Sequence, residues 1–452
     1  MKNRYLYIKT IGCQMNAYDS DRIVNILKPL DYELTNTINR ADLILLNTCA
    51  IREKAQQKAF SFLGRLAVLK KKKKALIIGV CGCVAQQEGE RIIDRLPHVD
   101  IVLGTHAIDR LPDIIVKIEK EKCHVIDVQL SEVIKEFCFD KNNYADTKVF
   151  EFVTIMRGCD NFCTYCVVPH VRGRETSRKP ENIINEIKAL IKNGTKEVIL
   201  LGQNVNSYGK KDGLCTFAEL ISMVNEIEKL YRIRFTTSHP KDLSDELINS
   251  FKRLDKLCPH IHLPVQSGSD TVLKRMNRKY TTEFYLKKIQ KLRSIIPDIA
   301  ISSDFIVGFP KETKADFQKT LNLIKKVEFD FAFAFIYSPR PNTPAAKFSG
   351  AVLEEEKKAR LQQLLKVQEY YTRKKNEKLV GTKTSVLVEG FSKRSNLEDI
   401  QKVQWTGRTN TNKIVNFSES INELGNKKIV SGQLLNIKIE KAFSHSLWGE
   451  PI

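Results

Sequence analysis

Three cysteines stand within eight residues of one another in the stretch MRGCDNFCTYCVVPH: Cys159, Cys163 and Cys166. Thiolates are soft ligands that suit zinc or iron-sulfur clusters. A structural zinc ion completes a tetrahedron with a fourth ligand, and His170, four residues beyond Cys166, is a candidate for it. An open cluster accounts for the count without a fourth residue. Three thiolates then hold three irons of a 4Fe-4S cube, and the last iron is left for a substrate.

Cys13, Cys49 and Cys83 are separated by 36 and 34 residues, a spacing that means nothing as a local metal motif. Their place in a repeated phrase makes them a set. RYLYIKTIGC reads as a strand ending at Cys13, followed by the helical pattern NAYDSDRIVNILKPL. ADLILLNTC ends at Cys49 before the helix IREKAQQKAFSFLGRLAVL, and KALIIGVCGC ends at Cys83 before VAQQEGERIIDRL. VDIVLG and AIDRLPDIIVKI close the series. Such alternation predicts an α/β, doubly wound parallel sheet over residues 1–120, with strand carboxyl ends along one edge where ligands bind. The remaining cysteines, Cys81, Cys123, Cys138, Cys215 and Cys258, read as small buried hydrophobes.

Residues 121–147, with KNNYAD, read as a linker. From 148 to 375 the alternation resumes with FEFVTIM, KEVILLGQNV, RIRFTTSHP, HIHLPVQSG, IAISSDFIVGFP and DFAFAFIYS. Six such units predict a partial (β/α)6 barrel with its site at the strand carboxyl ends, which makes Ser238, His239 and Gln266 pocket candidates. The long helical pattern LEEEKKARLQQLLKVQEYYTRKKNEKL leads out of it. Residues 376–446 change to short alternating segments, KTSVLVEGF, KVQWTGRT, KIVNF and QLLNIKIEKAF, the pattern of a small all-β barrel.

Eleven cysteines in a chain of this size point to metal or catalysis rather than to a disulfide framework. The longest apolar run, ALIIGVCGCVA, is about half of what a bilayer span needs, and MKNRYLYIKT lacks a signal-peptide core, so a cytoplasmic protein without membrane partners is expected. The net charge of +21, from 74 Lys plus Arg against 53 Asp plus Glu, favours a polyanionic partner, although a lysine-rich solvated surface gives the same balance.

The CxxxCxxC spacing after the first barrel strand resembles the signature of the radical S-adenosylmethionine superfamily. That resemblance implies a 4Fe-4S cluster on Cys159, Cys163 and Cys166, whose free iron chelates S-adenosylmethionine. It also implies that Tyr165 packs near the adenine and that the backbone at Gly202 and Gln203 receives the methionine amino group. DFIVGFP, with Gly308, resembles the segment beside the adenine.

GCQMNAYDSDR, NTCAIREKAQQKAFSFLGRL and GCVAQQ resemble the N-terminal domain of methylthiotransferases, and the C-terminal segment resembles a TRAM barrel. A second 4Fe-4S cluster on Cys13, Cys49 and Cys83 is then implied. CAIREKAQQK with WTGRTNTNKIVNF is similar to the MiaB branch, which acts on isopentenylated adenosine beside the tRNA anticodon. The implied chemistry uses one S-adenosylmethionine as methyl donor and a second as radical source, with an electron donor such as a flavodoxin or ferredoxin and a monomeric enzyme. Arg408, Asn412 and Lys413 in the small barrel, Arg172 and Arg174 beside the cluster loop, and the run Lys70–Lys74 are candidate contacts to the anticodon stem-loop. Two alternatives remain: a methylthiotransferase of threonylcarbamoyladenosine or of a ribosomal protein, and a non-catalytic RNA-binding protein with structural clusters.

Overall fold

The computed structural model describes residues 4–50, 53–131, 148–393, 395, 403–418 and 429–452. Six parallel strands build the first sheet: β1 (Arg4–Ile11), β2 (Tyr32–Leu34), β3 (Leu43–Thr48), β4 (Ile77–Gly82), β5 (Ile101–Leu103) and β6 (Val125–Asp127). Their spatial order is β2-β1-β3-β4-β5-β6. β3 and β4 are buried along their whole length, as their unbroken apolar runs require of strands covered on both faces. Leu43 and Leu45 join one core cluster while Ile44 and Leu46 join the other, so the period-two alternation fills both faces at once. The order reverses between β1 and β3, and at such a switch point the loops part to leave a crevice. Cys13 follows β1 and Cys49 follows β3, so the topology sets them on either side of it.

Two short strands escape the sequence pattern. β2 has three residues, and β6 lies inside the stretch expected to be a linker, so the sheet runs past residue 120. Cys138 falls outside the described residues.

The second unit starts with β7 (Phe150–Thr154), followed by the paired two-residue strands β8 (Met156–Arg157) and β9 (Thr176–Ser177). β10 (Glu197–Leu201), β11 (Arg232–Phe235), β12 (His260–His262), β13 (Ala300–Val307) and β14 (Phe331–Ile336) complete it. β7, β10 and β11 form one parallel sheet and β12, β13 and β14 another, joined by a bridge between Ile233 and Leu257. The six strands thus run consecutively around a partial barrel. Val153, Val198, Ile233, Ile261, Ile301 and Phe305 turn to the surrounding helices and form one large core.

The helix Glu354–Glu377 carries the chain to a closed barrel of β15 (Lys383–Phe391), β16 (Gln404–Thr409), β17 (Ile414–Ser418), β18 (Leu434–Ala442) and β19 (Leu447–Pro451). β19, which closes the barrel, extends it past residue 446; its LWGEP carries Gly and Pro and hides the strand from sequence. The small barrel is seated on the core by arginines. Arg232 donates to the carbonyls of Arg408 and Ser385, and Arg234 to those of Thr409 and Asn410.

Candidate functional site

The loop after β8 is shaped by its glycine. Gly158 has φ +72°, and a Cβ there would stand 2.0 Å from the Arg174 carbonyl oxygen. Beyond it the chain turns so that the Cys166 amide donates to the Cys163 carbonyl at 2.9 Å. The segment following the fourth barrel strand clamps this loop: Asn277 Nδ2 donates to the Phe162 carbonyl at 2.9 Å, and Thr164 Oγ1 to that of Arg275. Arg278 Nη1 donates to Cys163 Sγ at 3.4 Å and to the Tyr165 hydroxyl at 3.3 Å. Burial pushes the Cys159 thiol up to about 11 and Cys166 up to about 12. Cationic metal is what would keep such thiols ionised.

His170 is exposed on the helix Val168–Arg172. Among the described residues no three His, Cys, Asp or Glu side chains are gathered around a point as a single metal ion would draw them. A cube takes each thiolate on a different iron and spreads them further apart. All six thiols of the two triads are free of disulfides.

The carboxyl edge of the partial barrel carries buried polar atoms that no protein group satisfies. Among the described residues these include Gln203 Oε1, Ser238 Oγ and Gln266 Oε1, all three expected from sequence. They also include both amide atoms of Asn206, His239 Nε2 and Tyr337 OH, of which sequence reasoning named only His239. Orphaned atoms of this kind call for a ligand or water. Gln266 and Thr237 adopt φ of 76° and 67° at strand ends, strain of the sort concentrated at functional sites. Asn206 stands three residues past Gln203 in GQNVNSYG, and that asparagine-rich turn was the available signal. The donor set therefore fits a polar, amino-acid-like ligand beside three thiols. Tyr165 packs with Phe309, Tyr337 and Met276 at the same edge. Gly202 is buried against Met156. Gly308 is held in a turn, its amide donating to Glu312 at 2.6 Å, and Glu312 is in turn paired with Arg360.

Cys13, Cys49 and Cys83 directly follow β1, β3 and β4 at one edge of the first sheet, with Cys13 in hydrogen-bond reach of Cys49. Cys13 caps the helix Gln14–Leu27, and its Sγ and amide both lie within hydrogen-bond reach of Asn16 Oδ1. Asn16 Nδ2 donates to Asn47 Oδ1 at 2.8 Å, and Asn47 Nδ2 returns a bond to the Asn16 carbonyl at 2.9 Å. Both asparagines are fully buried, so this exchange ties the end of β1 to the end of β3. Thr48 Oγ1 donates to the Cys81 carbonyl and extends the tie to β4. The Cys13 thiol is lowered to about 6 by its hydrogen bond with Cys49, then by Arg172 and the backbone amides, against the pull of burial. Burial pushes Cys83 up, with Arg172 opposing it.

Arg172 corrects the sequence reading. Only 4% exposed, it donates to Asp19 Oδ2 at 2.9 Å and faces Cys83, so it is sealed from any RNA backbone. Its partner lies 153 residues away in sequence, so nothing local to Arg172 announces the pair. Arg174 is exposed, bonded to Asp160 at 2.7 Å. Lys413 is committed to Asp330 at 3.2 Å and to Asn376, while Arg408 pairs with Glu389 at 2.8 Å and reaches Asn412. An RNA strand would have to compete for both cations. In the lysine run, Lys70 holds Asp100 and Lys73 holds Asp42, which gives these two a role in closing their helix onto the sheet.

Residues 153–324 match the model of the Radical SAM superfamily, and residues 5–104 match that of Uncharacterized protein family UPF0004. The chain is 52% identical over 445 residues to the tRNA-2-methylthio-N(6)-dimethylallyladenosine synthase of Desulfosudis oleivorans, covering 98% of this chain and 96% of that one. Enzymes of the same name from Syntrophus aciditrophicus and Geobacter sulfurreducens are 48% and 46% identical, covering 100% and 99% of this chain and 95% and 98% of theirs. Among solved structures, the radical S-adenosylmethionine methyltransferase TsrM from Kitasatospora setae aligns with a TM-score of 0.55 at 12% identity, over 76% of this chain and 77% of that one, a likeness of fold. Near-complete coverage at such identity, with both thiol triads set at sheet edges, shows that the chain belongs to the tRNA-2-methylthio-N(6)-dimethylallyladenosine synthase family.

Proposed function

We propose that the chain inserts sulfur and a methyl group at carbon 2 of isopentenylated adenosine beside the tRNA anticodon, the reaction for which its relatives are named. The observation that carries this reading is the pair of thiol triads, one of them beside a ring of orphaned polar atoms. Carbon 2 bears an unactivated hydrogen that no side-chain base can remove, so the reaction needs a radical. When bound, the two 4Fe-4S clusters supply the electron that cleaves S-adenosylmethionine to a 5′-deoxyadenosyl radical and the site that handles sulfur. Cys159, Cys163 and Cys166 hold the first, and Cys13, Cys49 and Cys83 the second. Gln203, Asn206, Ser238 and Gln266 offer donors and acceptors to the amino-acid end of S-adenosylmethionine, and Tyr165 offers a ring to its adenine. The protein's share is to hold these reactants and a flipped-out base together and dry.

Arg174, Asn412 and the exposed Lys71, Lys72 and Lys74 are the expected RNA contacts that remain uncommitted to a buried role. No helix among the described residues is long and apolar enough to cross a membrane. A cytoplasmic monomer reduced by a flavodoxin or ferredoxin completes the reading. Anaerobic turnover with isopentenylated and unmodified tRNA tests it: methylthio product is expected only from the former, and product from the latter alone would overturn the substrate. Cys166→Ala is expected to abolish 5′-deoxyadenosine formation while keeping about four of about eight irons. Continued 5′-deoxyadenosine formation by that variant would refute the ligand assignment.

A further inference from the structure

We propose that the open seam of the partial barrel seats the target base, and that Phe333 selects the isopentenyl group it carries. The inference rests on the reading of the substrate as isopentenylated adenosine. β7 and β14 are the outer strands of the two sheets that make the barrel, so the strand wall is open between them. One face of each strand is taken by the helices: Val153 on β7 lies in the large core, and Ala332, Ala334 and Ile336 on β14 belong to it or pack against it. Phenylalanines fill alternate positions on the other face. Phe150 and Phe152 on β7, and Phe331, Phe333 and Phe335 on β14, are thereby set toward the lumen. None of the five joins a core cluster among the described residues, and Phe333 is 45% exposed.

The rings of β14 form a ladder. Phe331 and Phe333 meet edge to face with centroids 4.7 Å apart, and Phe333 and Phe335 stack at 6.4 Å. At one end Phe331 meets His445 of the small barrel, whose Thr409 and Asn410 carbonyls on Arg234 stop the lumen away from the thiols. At the other end Phe335 is in register with Ile306, which packs beside Tyr165. The ladder thus runs from the seam to the edge assigned to S-adenosylmethionine. Asp304, in register with Phe333, adds a partly exposed carboxylate 3.5 Å from His262 Nε2. A row of phenylalanines open to water marks a binding surface. A flat base stacks on such rings, and an apolar substituent gains further by leaving water among them. Asp304 offers an acceptor to the hydrogen that the isopentenylated amine keeps. A substituent ending in a carboxylate would instead meet apolar rings and the Asp304 charge, which disfavours threonylcarbamoyladenosine. In sequence FAFAFI reads as one more buried strand; only the open edge of β14 shows that its phenylalanines are not core.

The test compares the dissociation constants of an isopentenylated and an unmodified anticodon stem-loop RNA on the reconstituted holoprotein, with KM and kcat for the former. Phe333→Ala is expected to cut the preference for the isopentenylated RNA by about tenfold or more, and to act on KM rather than kcat. Phe333→Leu, which keeps an apolar side chain, is expected to restore most of that preference. A preference unchanged in Phe333→Ala, or lost equally in Phe333→Ala and Phe333→Leu, with both clusters present by iron analysis, would overturn the proposal. Wild-type protein that shows no preference for the isopentenylated RNA would instead overturn the substrate reading on which it rests.

Discussion

At the scale of single residues, the six thiols were legible because cysteine is rare and its positions fall at strand ends. The groups that position them were not. Asn47 lies in LILLNTC, where one polar residue reads as an interruption of an apolar run. Its amide accepts from Asn16 and donates to the Asn16 carbonyl and to Ser20 Oγ, so Asn47→Leu leaves several buried partners unmade. The expected cost is about 2–4 kcal/mol in urea unfolding, with loss of iron from the Cys13, Cys49 and Cys83 site only. Arg172 was misread because the sequence shows which charges are near in the chain, whereas a buried pair is formed by charges near in space.

At the scale of elements, the β/α alternation announced the parallel sheets, and its failures in the first of them were short edge strands. The three residues of β2 and of β6 contain too few alternations to form a pattern. What the pattern does fix is the approach of strand ends. Gly82 closes β4 with φ +90°, and a Cβ there would stand 2.5 Å from Thr48 O and from Asn47 Oδ1. Gly82→Ala is therefore expected to part β4 from β3 at the edge that carries Cys83, at a cost of about 1–3 kcal/mol. Iron analysis should fall toward half the wild-type content while 5′-deoxyadenosine formation persists; loss of both clusters would show that the two sites share their folding more deeply than the contacts imply.

At the scale of the molecule, charge joins the units of the fold. Asp330, beneath the small barrel, receives Lys413 from that barrel and Lys375 from the connecting helix. Burial alone would raise its pKa, and the two lysines outweigh this to hold the carboxyl below its usual value. A depressed carboxylate stabilises the fold above its unfolded pKa of about 3.9, and that contribution is lost as pH falls through the still lower folded value. Asp330→Asn is expected to loosen the small barrel at neutral pH, seen as faster proteolysis of the helix Glu354–Glu377, and to flatten the acid limb of stability against pH.

The helix Val168–Arg172 begins two residues after Cys166, and its Val171 packs against Cys83 and Val84 of the helix that follows β4. One peptide thus finishes the barrel's thiol loop and walls the neighbouring site. A core joined at residue 148 to a different domain that covered the same helix would bury the guanidinium of Arg172 without its carboxylate, and an orphaned buried charge of that kind costs about 3–5 kcal/mol. Radical chemistry in this chain is consequently not a portable module: the barrel cannot be transplanted onto another partner domain unless the recipient brings its own Asp19.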